Sequence, residues 1–368
     1  MWKRAHVDAV DENCALSQVV AVLAAKAGRR AVVPQLAVCV AVPVRDEVDR
    51  LPATIRALVA QRAPLGHPEG SPWFEVVLLV NNCRDGSATA ARQAIGQAQN
   101  VWLVEANLPA SHAHVGWARR LAMDLAEQRL ASSRSKRPVI ATTDADTIVA
   151  PDWLAATLEE VEDGADVVGG ALQLDRQELR ALSPALRRRV RLDRLYRQLE
   201  VDLRRALANQ GQPRYEHYHH SGASLAITRT TYLAAGRLPP VASGEDVALV
   251  RHARAQGATV RLSHRVRVRT SCRTEGRAAG GMAATLGRWA VEGASVSLVR
   301  GVAGILRGKG GSAALLREAL ASQSEHMPIE VAIAELRRCL AVLRSSARCP
   351  SFEQIKAPSR ATALGQQL

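Results

Sequence analysis

The sequence predicts an α/β fold, a doubly wound and mostly parallel sheet followed by a helical tail. Apolar runs of strand length recur from Leu36 onward, helical segments separate them, and turn residues such as Asp85-Gly86 mark where strands give way. Strands that read as unbroken apolar runs are buried on both faces, and their interleaving with helices places them side by side in one parallel sheet. With 368 residues, 47% of them hydrophobic, the chain can bury one large domain and carry an appendage.

In chain order, LAVCVAVPV is the first strand and residues 51–61 the first helix. WFEVVLLV follows as a strand, then a helix over 87–97, the short strand VWLV, a longer helix over 115–131 and the strand PVIATT. PDWLAATLEEVEDG reads as a helix, with Pro151 in its first turn and a glycine stop, before the strand-like DVVGGALQL. Across 177–208, Leu192, Leu195, Leu199, Leu203 and Leu207 recur at helical spacing and predict one buried stripe with the arginines outward. SGASLAITR and ATVRLSHRVRVRT read as strands flanking a helix that begins near Ser243. The expected organisation is an extension over 1–35, the main domain over 36–290 and a helical region over 291–368.

The formal net charge of +14 comes almost wholly from arginine, since lysine stands only at Lys3, Lys26, Lys136, Lys309 and Lys356. Such a field favours anionic partners, among them nucleoside diphosphates, phosphorylated acceptors, nucleic acid and acidic membrane surfaces. Aromatics make up only 3% of the chain, too few to stack bases, so nucleic-acid binding is not expected. Cys14, Cys39, Cys83, Cys272, Cys339 and Cys349 lack the close paired spacing of zinc sites and disulfide frameworks, and read as free thiols in a cytoplasmic protein. No apolar run reaches the roughly 18 residues of a spanning helix. Asp8, Asp11 and Glu12 stand where a signal peptide is basic, so secretion is not expected. Membrane contact is at most peripheral, through the tail over 295–306.

Ligands of an open parallel sheet bind outside the carboxyl ends of its strands. Three polar clusters fall at such ends: Arg45-Asp46-Glu47, Asn81 to Asp85, and Asp144-Ala145-Asp146. Any one alone reads as an ordinary turn, whereas their convergence on one edge reads as a site. In extended chain Asp144 and Asp146 project to the same side, roughly 6.5 to 7 Å apart. Two such carboxylates grip one hard divalent cation, which relieves their repulsion and leaves positions open for phosphate oxygens. The competing reading is a helix start, because acids are favoured just before a helix such as the one at PDWL.

The segments AVPVRDEVDRLPATIRAL, LLVNNCRDGSATAA, GWARRLAMDLA, TTDADTIVAPDWL, HHSGASLAITR, SGEDVALVRHARAQG and GRWAV resemble, in content and order, the family-2 glycosyltransferases. The resemblance covers about residues 36–289 and implies a Rossmann-like GT-A domain. It also implies Mn²⁺ or Mg²⁺ as cofactor, a nucleotide-diphosphate sugar as donor, and inverting transfer to an acceptor hydroxyl. Pro43 and Glu47 match the loop over base and ribose, and Asn82 and Asp85 the second base-contacting loop. Amides stand at 81 and 82 where that family usually has an acid; an amide both donates and accepts, which leaves uracil and guanine equally open. Arg119 and Arg120 match a basic position facing the nucleotide phosphates, which a guanidinium fork suits; a solvated helix face is the plainer alternative.

By the same resemblance Asp144, Ala145 and Asp146 match the donor- and metal-binding element, with His264 as a third ligand. Glu245 and Asp246 match the catalytic acidic pair, Asp246 being the expected general base that takes the acceptor proton. Ser243 to Asp246 also spell a capping box, which explains the same residues locally. His220, Ser221 and Gly222 match the acceptor side, where small residues let backbone approach closely. Arg288 and Trp289 match the signature that closes over the donor, with Thr285 where glutamine is usual. His217, His219 and His220 fit no common metal pattern. The arginines over 187–191 and 265–277 suit an anionic acceptor, although a solvated surface accounts for them nearly as well.

Two other classes share parts of this pattern. A haloacid-dehalogenase-type phosphatase also places Asp-x-Asp-x-Thr after a strand, with Asp144 as nucleophile, but it needs a later lysine, and only Lys309 and Lys356 lie downstream. A sugar nucleotidyltransferase wants a glycine-rich first loop, and PVRDEVDR has no glycine.

Overall fold

The computed structural model describes residues 34–65, 67, 72–208, 221–276, 280–292, 298–305 and 326–346. It divides into two units, Met1–Arg189 with Pro213–Ala294 and Val190–Gln212 with Ser295–Leu368. Of the expected extension, only Pro34 and Gln35 are among the described residues.

The first unit is built on a sheet of eight strands. β1 (Val38–Val44), β2 (Phe74–Asn81), β3 (Val101–Ala106) and β4 (Val139–Thr142) lie parallel in the order β3-β2-β1-β4. All of β2 and β4 and nearly all of β1 are buried, which is why the sequence reads there as unbroken apolar runs. Helices Leu51–Val59 and Ser87–Ile95 put Leu51, Ile55, Leu58, Ala91 and Ile95 on one face of the sheet. Helix Val115–Leu130 covers the other face with Leu121, Ala122, Leu125 and Ala126. One layer of helices on each face is the doubly wound arrangement that the sequence predicts.

Beyond β4 the sheet becomes mixed. β7 (Leu225–Thr228) runs antiparallel to both β4 and β6 (Val167–Leu174); β6 pairs in parallel with β8 (Val260–Thr270), and β5 (Thr147–Val149) closes the edge antiparallel to β8. The β6–β8 register slips between Gly170 and Ala171, which face Ser263 and Arg267. A Cβ at Gly170 would lie 2.0 Å from Ser224 Oγ and 2.8 Å from the Val266 carbonyl, so only glycine fits at this bulge.

Two elements differ from expectation here. The helix expected over 177–208 is two helices, Arg176–Ala181 and Pro184–Ala208. They part where Leu182 turns extended ahead of Pro184, because proline cannot continue a helix but opens one well. SGASLAITR yields only the strand Leu225–Thr228, because the Thr228 hydroxyl caps a helix at Arg229–Ala234.

In the second unit Tyr196 and Leu203, with Leu192, Leu195 and Leu199 beside them, pack against Val302, Ile305, Met327, Ile329 and Leu336. The side chain of Leu207, the last of the expected stripe, lies outside the described residues. The tail is not wholly helical. Strands Leu298–Arg300 and His326–Pro328 pair antiparallel, helix Val302–Ile305 is a single turn, and helix Ile329–Ser346 completes the unit. The segment named for peripheral membrane contact is thus, over 298–305, a strand and one turn. No helix among the described residues is long and apolar enough to cross a membrane.

Candidate active site

Parallel pairing brings the carboxyl ends of β1, β2 and β4 to one edge, and the three polar clusters with them. Asp144 and Asp146 are not on extended chain. The Thr147 amide donates to the Asp144 carbonyl at 3.1 Å, closing a tight turn, and the Thr54 hydroxyl holds the carbonyl of buried Ala145 at 2.9 Å. The carboxylates do not cap the following helix either. Each is paired with an arginine.

Arg119, only 3% exposed, donates through NH2 to Asp144 Oδ1 at 2.6 Å and through Nε to Glu245 Oε1 at 3.0 Å. NH1 reaches Thr142 Oγ1 at 2.8 Å and the Gly222 carbonyl at 3.1 Å. Arg119 is therefore turned into the protein, between the end of β4 and the start of helix Glu245–Ala255. A Cβ at Gly222 would lie 2.5 Å from Arg119 Cζ, so the glycine there accommodates the guanidinium. Asp246, half-buried, accepts from the Gly222 amide at 2.7 Å and from the Val247 amide at 2.7 Å. No capping box forms: the helix is entered through Gly244 in the left-handed region, at φ 76°, with no side-chain cap.

Arg273 makes the second bridge. It donates to both oxygens of Glu47, at 2.8 and 2.5 Å, and lies 3.0 Å from Asp146 Oδ2. Glu178 fixes the backbone that carries it, accepting from the Ser271 hydroxyl at 2.8 Å and the Cys272 amide at 2.6 Å. Helix Arg176–Ala181 is itself capped by Asp175, which accepts from the Gln177 and Glu178 amides. Burial, then the neighbouring Asp144 carboxylate, push the Asp146 carboxyl up to about 6, with Arg273 pulling the other way.

Residues 34–291 match the sequence profile of the glycosyltransferase like family 2. The chain belongs to that family. It is similar to the mannosyltransferase PcManGT of Pyrobaculum calidifontis, solved with GDP-Man and Mn²⁺, at 16% identity over 90% of this chain and 99% of that one, TM-score 0.45. It is also similar to residues 1–349 of S. aureus TarS, at 13% identity over 64% of this chain and 61% of that one, TM-score 0.43. A third similarity is to the M. tuberculosis glucosyl-3-phosphoglycerate synthase with Mn²⁺, UDP and phosphoglyceric acid, at 14% identity over 73% and 79%, TM-score 0.37. No curated protein matches the chain.

In this glycosyltransferase the first two loops are tied to each other. Pro43 lies within β1 opposite Leu79, and the amide of Glu47, a residue 7% exposed, donates to the Ser87 hydroxyl at 2.7 Å. Asn82, at φ 49°, donates to the Leu108 carbonyl at 2.9 Å and accepts the Leu108 amide at 3.1 Å, so its amide braces the chain after β3. Asp85 accepts from the Ser87 amide and hydroxyl and from the Val48 amide, fastening loop to loop. Asp46, Cys83 and Asp85 bring ligand atoms within 4.8 Å of one another, yet both carboxylates already hold amides, of Arg84 for Asp46.

Other expected residues are placed elsewhere. Arg120 donates to Asp124 Oδ2 at 2.6 Å and to the Leu238 carbonyl at 2.8 Å, a separate cluster with Tyr232 and Arg237. His264 is exposed in β8 at the Gly170 bulge. Thr270, not His264, pairs with Thr147 beside the Asp146 turn, and roughly 10 Å or more of strand separates the two at about 3.3 Å per residue. The position near Asp146 belongs instead to Arg273. Arg288 is exposed, while Trp289 is buried with the Arg189 guanidinium 4.9 Å from its ring. Ser221 is half-buried beside Gly222, and His220, His217 and His219 lie outside the described residues. Of the β8 arginines, Arg265, Arg267 and Arg269 pair with Glu159, Asp152 and Asp175, which offsets the anion attraction expected of them. Arg273 and Glu178 escaped the sequence reading as individual residues; the one available signal was an arginine just past the end of a strand.

Proposed function

We propose that this protein transfers a sugar from a nucleotide-diphosphate donor to an acceptor hydroxyl, with inversion and with a divalent cation at Asp144 and Asp146. One observation carries the reading: at the strand ends four carboxylates, Glu47, Asp144, Asp146 and Glu245, gather around Arg119 and Arg273. Carboxylates gathered so closely repel one another, a divalent cation relieves that repulsion, and hard oxygen donors suit Mn²⁺ or Mg²⁺. When bound, such a cation supplies charge neutralisation for the departing diphosphate.

The chain's own residues supply positioning and proton transfer. Arg119 fixes Asp144 and buttresses the start of the helix that presents Asp246. The Gly222 and Val247 amides orient the Asp246 carboxylate, and each oxygen retains a lone pair for the acceptor hydroxyl as it attacks. Asn82 and Asp85 act by holding the first two loops in the shape of a donor pocket. The net charge of +14 supports an anionic acceptor.

The reading is tested by thermal shift with UDP, GDP and dTDP, each with and without Mn²⁺, on wild type and Asp146→Ala. Stabilisation by one nucleotide that requires the metal and disappears in the variant supports it. Shifts indifferent to metal and to the substitution contradict it. Asp246→Asn is expected to lower kcat about 10²- to 10⁴-fold while that nucleotide shift is retained.

A further inference from the structure

Arg273 occupies one of the two carboxylates assigned above to the cation. Its guanidinium is mostly buried, with 19% of the side chain exposed, doubly bonded to Glu47 and 3.0 Å from Asp146. Its Nε is buried with no hydrogen-bond partner among the described residues, so the group is incompletely satisfied there. The backbone beneath it is held by Glu178 and by the Thr147–Thr270 hydroxyl pair at 3.0 Å. The head group can therefore change partners without the strand moving.

We propose that Arg273 is the positioning residue that couples cation to donor: it screens Asp146 against a metal ion arriving alone and releases it when an anionic diphosphate arrives with the metal. A lone cation must compete with a guanidinium already paired with Asp146 and Glu47. A diphosphate brings negative charge that the guanidinium fork can accept in exchange, so the two ligands each raise the other's affinity, as linkage requires. The inference rests on the assignment of Asp144 and Asp146 to the cation.

The test is Mn²⁺ binding to the full chain without nucleotide, read from the electron paramagnetic resonance signal of the free ion. Arg273→Met alone strips buried Glu47 of its guanidinium fork and endangers the fold, so the decisive variant is Arg273→Met with Glu47→Gln, which removes one charge of each sign. Its folding is checked by its melting transition, and Arg273→Lys replaces it should it not fold. The proposal predicts at least a fivefold tightening of Mn²⁺ binding by the double variant, within the ordinary range of coupling between sites. Arg273→Lys, which keeps the charge but loses the fork, is expected to tighten it less. The proposal also predicts that nucleotide raises Mn²⁺ affinity by a smaller factor in either variant than in wild type. Unchanged or weaker binding of Mn²⁺ alone overturns it. Asp146→Asn is run alongside: if that variant still binds Mn²⁺ as wild type does, the cation assignment itself fails, whereas loss of binding there with no tightening in the arginine variants sinks only the role of Arg273.

Discussion

Two arginines stand on either side of the same pair of aspartates and are bound in different ways. Arg119 is 3% exposed, and all three of its nitrogens have protein partners, including a threonine hydroxyl and a main-chain carbonyl. Among the described residues the Arg273 guanidinium has carboxylate partners and a buried Nε with none. Neutral partners fix a guanidinium in direction as well as charge. Carboxylates alone leave it exchangeable for another cation. The first bridge is accordingly frame, and the second is the adjustable part of the site.

The sharpest way to break this contrast is Arg119→Met. It leaves Glu245 buried without its cation and is expected to lower the unfolding free energy by about 3–5 kcal/mol in denaturant titration. Lysine at 119 should not restore it, since one ammonium cannot serve three directions. A loss below about 1 kcal/mol would mean that Arg119 is not frame. Gly222→Ala probes the same bridge more gently. With its Cβ 2.5 Å from Arg119 Cζ, a cost of about 1–3 kcal/mol is expected.

On the Arg273 side the expected signature is pH dependence. The Asp146 carboxyl is raised from its ordinary 3.8 to about 6, burial first and Asp144 second. The folded protein thus holds the proton more tightly than the unfolded chain. The resulting stabilisation is present below the unfolded value and is lost as pH rises through about 6, an effect on the order of 3 kcal/mol. Asp146→Asn should flatten that slope in melts between pH 4 and about 7. Cation binding needs the ionised form, so Mn²⁺-dependent nucleotide stabilisation should grow over the same interval.

Much of the frame was legible because burial writes itself into sequence. Strands β1, β2 and β4 read as apolar runs since both faces are covered, and Leu51, Ile55 and Leu58 show the helical period of a covered face. The edge that gathers Glu47, Asp144 and Asp146 followed from parallel topology alone. What stayed hidden depends on pairing across long sequence separations. Nothing local tells that Arg119 reaches Glu245, or that Arg273 reaches Glu47 across 226 residues. His264 stands in the β8 bulge, six residues before the strand reaches the turn at Thr270, and no local pattern foretells that bulge. The capping box at Ser243 failed because Gly244 takes a positive φ that the pattern cannot register.

The central claim, a cation shared by Asp144 and Asp146, is tested most directly by anomalous diffraction at the manganese edge from crystals soaked with Mn²⁺ and the nucleotide that stabilises the protein. The account predicts a single strong peak coordinated by those two carboxylates and by the diphosphate. A peak at Asp46, Cys83 and Asp85, or nucleotide bound with no metal beside Asp146, would contradict it.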